Sequence, residues 1–431
     1  MEIKGTPQRG LFGATLGFFI GFAAVALFGT TAQKLKDVMQ LTPMMVGFLV
    51  AIPSLTGSLL RIPFAAWVDT SGGRKPLLVL LGLSIIGMLG LTLTIYGFYP
   101  DRLTPGMYPL ILLLGALSGC GIATFSVGIG QVSYWSPKSK QGSALGIYGG
   151  VGNLAPGIFT LILPLALTAA GLAGAYLIWL FLLIFGTVLY YFTGLNSPYF
   201  QLRAKGLASE LARQAAVKAG QEIFPAGNIK DSLFLSVKIW KTWALTAVYF
   251  ASFGGFLAMT AWLPIYWKSF LGVSAVTAGV LTAAYSILTS LMRIWGGSLS
   301  DRLGGERTAI ISLFVMLVGA LALTLSHGFG LSFMAELVMA LGMGVTNAAV
   351  FKLVPKAVPQ AVGGASGWVG GLGAFGGFAI PPLLSTFVHW QGDGGYATGF
   401  VIYIALALIS LGLAFVLQGS YTKALTLPAA D

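Results

Sequence analysis

Apolar stretches of about twenty residues follow one another along the whole chain, and they constrain its fold more than any other feature. Each is long enough to cross the hydrocarbon core of a bilayer as a helix, which takes about 20 residues. Only 8% of the 431 residues are charged, whereas a soluble domain carries about 25%. So few charges could not cover the surface of a water-soluble globule. The sequence therefore predicts an all-α integral membrane protein.

The apolar stretches are separated by charged residues or by proline and glycine, and they predict twelve transmembrane helices. The helices lie near residues 11–32, 43–68, 75–97, 107–134, 141–168, 171–194, 239–267, 273–299, 306–327, 330–355, 359–388 and 396–418. One long polar stretch divides them into six and six. We therefore expect an N-terminal six-helix bundle over 1–195, a cytoplasmic linker loop over 196–238 and a C-terminal six-helix bundle over 239–431.

The formal net charge of +12 is informative through its distribution. With the N-terminus inside, Lys34, Lys36, Arg102 and Lys268 are the cations of the external segments, and nearly all the others fall in cytoplasmic segments. This bias is the positive-inside rule, and it places both termini and the linker in the cytoplasm. The cations therefore set the topology, and we expect no nucleic acid among the partners.

Two arginines lie inside predicted spans, Arg61 in the second and Arg293 in the eighth. A cation in a membrane helix costs ~2.5–3.5 kcal/mol on insertion scales and marks function by default. Each arginine is followed eight residues later by an aspartate, Asp69 or Asp301, and then by a glycine pair. The same pattern in two halves predicts a transporter for an anion.

A glycine-rich run in the fifth span, Gly146 to Asn153, recurs in the eleventh span as Gly367 to Ala374. Parallel six-helix repeats with a substrate site near the midplane are the plan of the major facilitator superfamily. Glycine lets helix backbones approach closely, so we interpret the runs as a moving seam between helices, the alternative being ordinary tight packing. The seam glycines are Gly146, Gly149, Gly150, Gly152, Gly367, Gly370, Gly371 and Gly373.

The loops that follow the two arginine-bearing spans also match each other. Asp69 precedes Arg74, and Asp301 precedes Arg307, with the glycine pair between them in each case. Both loops resemble the loop between the second and third helices of each half in the major facilitator superfamily. That resemblance implies that these four residues latch one bundle to the other; the alternative is a charged tight turn.

Together the arginines and the paired glycine signatures resemble the nitrate/nitrite porter family (NarK type) of that superfamily, over essentially all twelve spans. The resemblance implies a transporter in the cytoplasmic (inner) membrane of a prokaryote, with nitrate and nitrite as substrates. It also implies that two phenylalanines sandwich the planar anion and that hydroxyl and amide groups complete the site. The implied substrate-binding residues are Arg61, Arg293, Asn153, Phe125, Tyr249, Phe253, Asn347 and Ser366.

The chemistry of the arginines supports this assignment independently. Guanidinium is planar, permanently charged and presents a fork of donors that matches a planar oxyanion. The nearest acids on the same helices are eight residues away, about 12 Å along the axis, and belong to the cytoplasmic loops. The alternative is that the arginines bind helix-end carbonyls and only brace the bundle.

Coupling to an ion is left open by the sequence. Glu336, near the external end of the tenth span, is the one acid that could couple transport to protons, but its position favours a solvated residue at a helix end. The lack of other buried acids suits nitrate/nitrite antiport, whereas the short connection between the tenth and eleventh spans suits proton-linked nitrate uptake. We favour proton-linked uptake.

Other classes of protein fit the sequence less well. An anion channel would not need a glycine seam, and a facilitator of a larger organic anion would need more polar groups in its site. The sequence shows no nucleophile–base–acid set, so we do not expect an enzyme. With one cysteine and two histidines, we expect neither a metal nor a cofactor. The expected partners are a small inorganic anion, protons and the lipid bilayer, and the expected state is a monomer.

Overall fold

The computed structural model describes residues 3–225 and 229–426, and over these ranges the chain is helical without a β-strand. Within them, eleven helices are long and apolar enough to cross a membrane. Ten of these are single spans: α1 Pro7–Ala26, α2 Pro43–Ser71, α3 Arg74–Phe98, α4 Pro105–Trp135, α7 Trp240–Phe270, α8 Ala275–Leu303, α9 Gly305–Leu325, α10 Phe329–Ala357, α11 Pro359–Thr398 and α12 Val401–Ser420.

The remaining stretch, Ser143–Thr193, contains two spans. At Gly171 the backbone leaves the helical region, with φ 66° and ψ −173°, and this residue separates α5, residues 143–170, from α6, residues 172–193. The described chain therefore has twelve spans, as the apolar pattern predicts. The first span is shorter than predicted: α1 ends at Ala26, and a separate short helix, Ala32–Met39, follows it.

The glycine pairs after Asp69 and Asp301 form the turns that end α2 and α8. Gly72 has φ 75° and Gly304 has φ 85°, which is a backbone conformation that an L residue with a Cβ adopts only at a cost. The next helix begins within two residues in both cases. The repeated Gly-Gly of the sequence is therefore a helix stop in each half of the chain.

The segment between α6 and α7 is not the loop that its polarity predicted. It contains three short helices, Pro198–Ala204, Ser209–Lys218 and Ile229–Val237. Leu202, Ala212 and Ala216 are buried in a small apolar cluster of their own. These helices are too short and too polar to span a membrane, so the hydropathy pattern marked their position but not their structure.

The chain forms two compact units. Unit 1 consists of Met1–Leu41 and Ile52–Ile229, and unit 2 of Thr42–Ala51 and Lys230–Asp431. In unit 1, α1 and α4 cross where Gly21 faces Gly121, since a Cβ on Gly121 would lie 2.9 Å from the Cα of Gly21. A 3-10 segment, Cys120–Ala123, surrounds this crossing on α4. The irregular turn ends two residues before Phe125.

Unit 2 has a comparable crossing between α7 and α11. A Cβ on Gly254 would lie 2.7 Å from the Cα of Gly376, so the two backbones touch. On α7 the crossing coincides with a π-helical turn, Phe250–Gly254. On α11 it coincides with the interruption between the helical segments Val362–Leu372 and Gly376–Gln391. Both helices are therefore irregular at their point of contact.

We expect Gly254→Ala to destabilise the protein by about 1–3 kcal/mol, the usual effect of overpacking a tight contact. The added methyl group can be accommodated only if two backbones separate. The melting temperature of the purified protein in detergent measures the effect. Gly412→Ala in α12 is the control, because no atom lies within 4 Å of its Cβ position. Equal melting temperatures for the two variants would contradict the backbone contact.

Candidate anion-binding site

Arg61 lies in the interior of α2, at a local irregularity of the helix. The helix is interrupted at Leu60 and resumes at Arg61, and Pro63 in the next turn has no N–H to donate to the carbonyl of Leu59. The Arg61 side chain is 1% exposed. Its Nε donates a hydrogen bond to the carbonyl of Gly57, at 3.2 Å. The guanidinium group is thus held against its own helix.

Phe125 of α4 lies beneath the Arg61 guanidinium, with 4.8 Å between Cζ and the ring centroid. Tyr148 of α5 holds Phe125 in place. Its ring stacks on the Phe125 ring at 6.3 Å and 25°, and its hydroxyl donates to the carbonyls of Thr124 and Phe125 at 3.1 and 2.8 Å. The predicted pair of Arg61 and Phe125 is therefore in contact in unit 1.

Arg293 of α8 lies beside aromatic residues of α7 and α10 in unit 2. Its Nη1 donates to the hydroxyl of Tyr249 at 3.2 Å. The Cζ atom is 5.4 Å from the ring centroid of Phe253 and 5.8 Å from that of Phe351. The predicted residues Tyr249 and Phe253 thus adjoin the predicted arginine.

The three rings around Arg293 are packed tightly against each other. Tyr249 and Phe253 stack at 4.8 Å and 7°, and Phe351 meets Tyr249 edge-on at 5.0 Å and 88°. Tyr249 and Phe253 are fully buried and flank the start of the π-helical turn. The crossing of α7 with α11 therefore fixes the rings that face Arg293.

Sequence reasoning did not select Tyr148 or Phe351. Tyr148 is the hydroxyl-bearing aromatic residue within the first glycine run, and this was a usable signal. Phe351 lies four residues after Asn347, on the same face of α10, so the polar candidate could have pointed to it. A phenylalanine among 29 gives no signal without such a neighbour.

The predicted polar residues Asn153, Asn347 and Ser366 differ in burial and in their neighbours. Asn153 in α5 and Asn347 in α10 are buried, 2% and 1% exposed, and the Oδ1 atom of Asn347 has no hydrogen-bond partner in the described part of the chain. Ser366 is half-buried in the segment Val362–Leu372. Asn347 is one turn from Phe351, whereas no contact between Ser366 and the Arg293 group is recorded among the described residues.

The glycines of the two runs have unequal surroundings within their own units. A Cβ on Gly152 would overlap the ring of Phe18 in α1, and one on Gly373 would lie 2.9 Å from the Cβ of Tyr249. Among the described residues, no atom lies within 4 Å of a Cβ on Gly146 or Gly149. Gly367 and Gly370 have only ordinary contacts, with Leu233 and Phe351, and Gly150 and Gly371 are buried. Gly373 therefore positions Tyr249, and a moving seam stays a prediction.

The charged residues of the first repeated loop contact groups within unit 1. Asp69 accepts a hydrogen bond from the hydroxyl of Tyr134 in α4. Arg74 donates through Nη2 to the carbonyl of Tyr191 at 2.7 Å, and its Cζ lies 4.9 Å from the ring of that tyrosine. These contacts tie the turn after α2 to α4 and α6.

The second loop is arranged similarly within unit 2. Asp301 forms an ion pair with Lys352, and Glu306 forms one with Lys356, so the turn after α8 is tied to α10. Arg307 is exposed. In both units the recorded partners of the acids are groups of the same unit, and the latch between bundles stays a prediction.

The structure contradicts the interpretation of Glu336 as a solvated residue at a helix end. Its expected position was a solvated helix end, but α10 begins at Phe329, so Glu336 lies two turns inside the helix. Its side chain is fully buried, and its Oε2 accepts a hydrogen bond from Nε1 of Trp267 at 2.9 Å. The interpretation as a solvated residue is wrong, because the C-terminal end of α7 covers this face of α10.

Among the described residues, no three His, Cys, Asp or Glu side chains are grouped so that they could hold a metal ion.

Twelve spans with an arginine at an equivalent position inside a span of each half define the class of secondary transporters built from parallel repeats. The family model described as Major Facilitator Superfamily matches residues 14–381. The solved structure of the xylose transporter XylE from E. coli has the same fold, with a TM-score of 0.72 over 96% of this chain and 99% of that one, at 16% identity.

Two curated relatives are more similar in sequence. The Thermus thermophilus protein named "Probable nitrate/nitrite antiporter NarK1" is 30% identical over 93% of this chain and 89% of its own length. The Staphylococcus epidermidis protein named "Probable nitrate transporter NarT" is 27% identical over 95% of this chain and 96% of its own. The chain belongs to the Major Facilitator Superfamily and, within it, to the nitrate/nitrite porter family of the NarK type.

Proposed function

We propose that the chain is a secondary transporter that carries nitrate and nitrite across the cytoplasmic membrane by alternating access, with nitrate uptake linked to protons. The observation that carries this proposal is the repeated placement of an arginine against an aromatic ring inside the spans of each unit. Arg61 lies over Phe125, and Arg293 lies beside Phe253. The names of the relatives support the choice of anion.

The geometry of each arginine suits a small planar anion. The guanidinium fork donates two parallel hydrogen bonds to two oxygens of one anion. The flat ring beside it forms a wall that a planar anion can lie against, whereas a tetrahedral anion such as sulfate projects an oxygen towards that wall. Nitrate and nitrite are planar and carry one charge. We therefore expect them to be preferred over sulfate and phosphate.

The remaining polar groups complete the proposed site. Tyr249 orients Arg293 through its hydroxyl, and the amides of Asn153 and Asn347 are buried hydrogen-bonding groups in the same units. Ser366 has no recorded contact with these groups in the described chain and is the weakest member. The positive-inside distribution of Lys and Arg supports a topology with both termini in the cytoplasm.

Nitrate/nitrite antiport is the second candidate, and the printed name of the Thermus thermophilus relative favours it. In antiport the arginines stay charged and an anion accompanies each reorientation. In proton-linked uptake an acid of the protein carries a proton together with the anion. A transporter without a titratable acid in its spans could not do the latter.

The first prediction concerns the arginines. We expect Arg61→Lys and Arg293→Lys each to reduce nitrate uptake into proteoliposomes roughly tenfold or more. Charge is retained, but the planar fork is lost, and a hydrogen bond to a charged group contributes about 1.5–3 kcal/mol. Arg302→Lys, an exposed arginine at the end of α8, is the matched control. Near-normal uptake by Arg61→Lys or by Arg293→Lys, at an expression level equal to that of the wild type, would contradict the model in which each guanidinium donates two hydrogen bonds to one anion.

The second prediction concerns Tyr249. We expect Tyr249→Phe to raise the KM for nitrate about three- to tenfold, because Arg293 loses a hydrogen bond that orients it while the ring stack with Phe253 is kept. Tyr403→Phe is the control, since that hydroxyl is equally buried but donates to the carbonyl of Gly255. If both variants have the same KM as the wild type, the Tyr249 hydroxyl has no role in binding.

The third prediction separates the two coupling modes. Proteoliposomes that contain no nitrate or nitrite should accumulate nitrate when a proton gradient is directed inward. Antiport requires an internal anion for each external one and does not respond to that gradient. Uptake that depends strictly on preloaded nitrite would establish antiport in place of proton-linked uptake.

A further inference from the structure

Glu336 is the one acid among the described residues that is fully buried in a span without an ion-pair partner. Its side chain has 0% exposure. One carboxyl oxygen, Oε2, accepts from Trp267, and the other, Oε1, has no hydrogen-bond partner in the described ranges. The other buried acid, Glu306, is paired with Lys356. A carboxylate with one neutral donor is far costlier to bury than a neutral carboxyl group, so this environment favours the protonated form.

The groups that face Glu336 from the neighbouring helices do not supply a counter-charge. Tyr266 of α7 and Tyr285 of α8 interact electrostatically with Glu336, and Tyr403 of α12 interacts with Tyr285. Their phenols are neutral near pH 7. His327, before α10, is exposed, and its ring contacts that of Phe270. The charge of Glu336 is therefore governed by whether water reaches it.

A chain of hydroxyl groups leads from the loop before α10 towards Glu336. The hydroxyls of Ser326 and Ser332 are hydrogen-bonded at 2.8 Å, and those of Ser332 and Tyr266 at 2.7 Å. Ser326 is next to the exposed His327 in sequence. Ser332 lies four residues before Glu336, on the same face of α10 and about 6 Å away along the axis. These hydroxyls provide a path for a proton from this end of unit 2.

Buried polar atoms continue on the other side of Glu336, towards Arg293. Asn347 follows Glu336 by eleven residues on α10, and Ser286 precedes Arg293 by seven residues on α8, so each pair shares one helix face. Ser286 Oγ and Asn347 Oδ1 are buried and have no hydrogen-bond partner among the described residues. Buried polar atoms of this kind are usually satisfied by internal water. They form a polar track between the acid and the arginine.

The segment of α7 that packs over Glu336 is an irregular turn that can deform. Trp267 lies in a second π-helical turn, Tyr266–Phe270. The turn begins two residues after Pro264, which leaves one helical carbonyl without its usual donor. Single π-turns within helices occur often at functional positions. Trp267 is fully buried, and its ring contacts Phe329 at the start of α10. A shift of this turn would remove the indole from Glu336 and admit water.

We infer that Glu336 is the proton-binding site of the transporter and carries one proton in each transport cycle. This inference rests on the proposed function. A hydronium ion at the hydroxyl chain gives its proton to Oε1 of the carboxylate, and the carboxyl group returns that proton to water on the side of Arg293. One proton balances one nitrate, so the coupled step moves no net charge. Glu336 is about 22 Å along α10 from Phe351, so it acts on the conformation and does not touch the anion.

The first experiment measures proton and anion fluxes in proteoliposomes of the full chain, with an internal pH dye, no internal anion and the membrane potential clamped at zero. Addition of nitrate should acidify the interior of wild-type vesicles with one proton per nitrate. In Glu336→Gln, which mimics the protonated form, we expect nitrate-dependent acidification to fall at least about tenfold while nitrate/nitrate counterflow continues. Asp393→Asn, an exposed acid of unit 2, should behave as the wild type.

The hydroxyl chain has its own test in the same vesicles. Tyr266→Phe should slow acidification severalfold and leave counterflow unchanged. Ser312→Ala is the matched control, because it removes a buried hydroxyl pair with Thr346, ten residues after Glu336 on α10. Equal acidification rates in Tyr266→Phe and Ser312→Ala would contradict a proton path through these hydroxyls. Undiminished acidification in Glu336→Gln would overturn the site itself.

A second measurement is independent of transport. The infrared band of a protonated carboxylic acid, recorded on purified protein at neutral pH without any anion, should be present in the wild type and absent in Glu336→Gln. Trp267→Phe should shift the pH at which the band disappears, whereas Trp262→Phe, a buried tryptophan of the same helix, should not. An identical band in the wild type and Glu336→Gln overturns the inference. If the band is lost in Glu336→Gln but neither the wild type nor any variant transports nitrate, the proton site stands and the proposed function fails.

Discussion

The structure depends first on the requirement that backbone hydrogen bonds be satisfied inside the membrane, which only regular helices achieve within a single segment. Departures from regular helix are therefore confined to places where other protein atoms surround the backbone. In unit 2 the π-turn of α7 and the interruption of α11 meet where Gly254 touches Gly376. Tyr249 and Phe253 flank the start of that turn. The residues that face Arg293 are thus positioned by a backbone contact, which no side chain could replace.

The two arginines repeat in sequence but differ in their surroundings. Arg61 is almost completely buried and is bound to a carbonyl of its own helix, whereas Arg293 is half-buried and bound to the Tyr249 hydroxyl. Phe125 is an aromatic neighbour of Arg61, and Tyr249, Phe253 and Phe351 are aromatic neighbours of Arg293. The units therefore share a plan but place different groups beside the two arginines.

Glu336 lies between two sets of polar groups in unit 2. At one end it adjoins the Trp267 indole and a chain of hydroxyls, and at the other a track of buried polar atoms leads towards Arg293. Charge is costly to bury without a partner, so the protonation of this acid and the packing of the C-terminal end of α7 depend on each other. This dependence is what a proton-coupled conformational change requires.

The sequence by itself determined the twelve spans, the two halves and the arginines, because apolar length and intramembrane charge are constrained by the bilayer and not by neighbouring residues. The resemblance to a family selected Phe125, Tyr249 and Phe253, which composition could not single out. Only the tertiary structure decided that Phe351 joins the Arg293 group and that Glu336 is buried. Both outcomes depend on which helix covers which face of α10, and such contacts between distant segments leave no trace in local hydropathy.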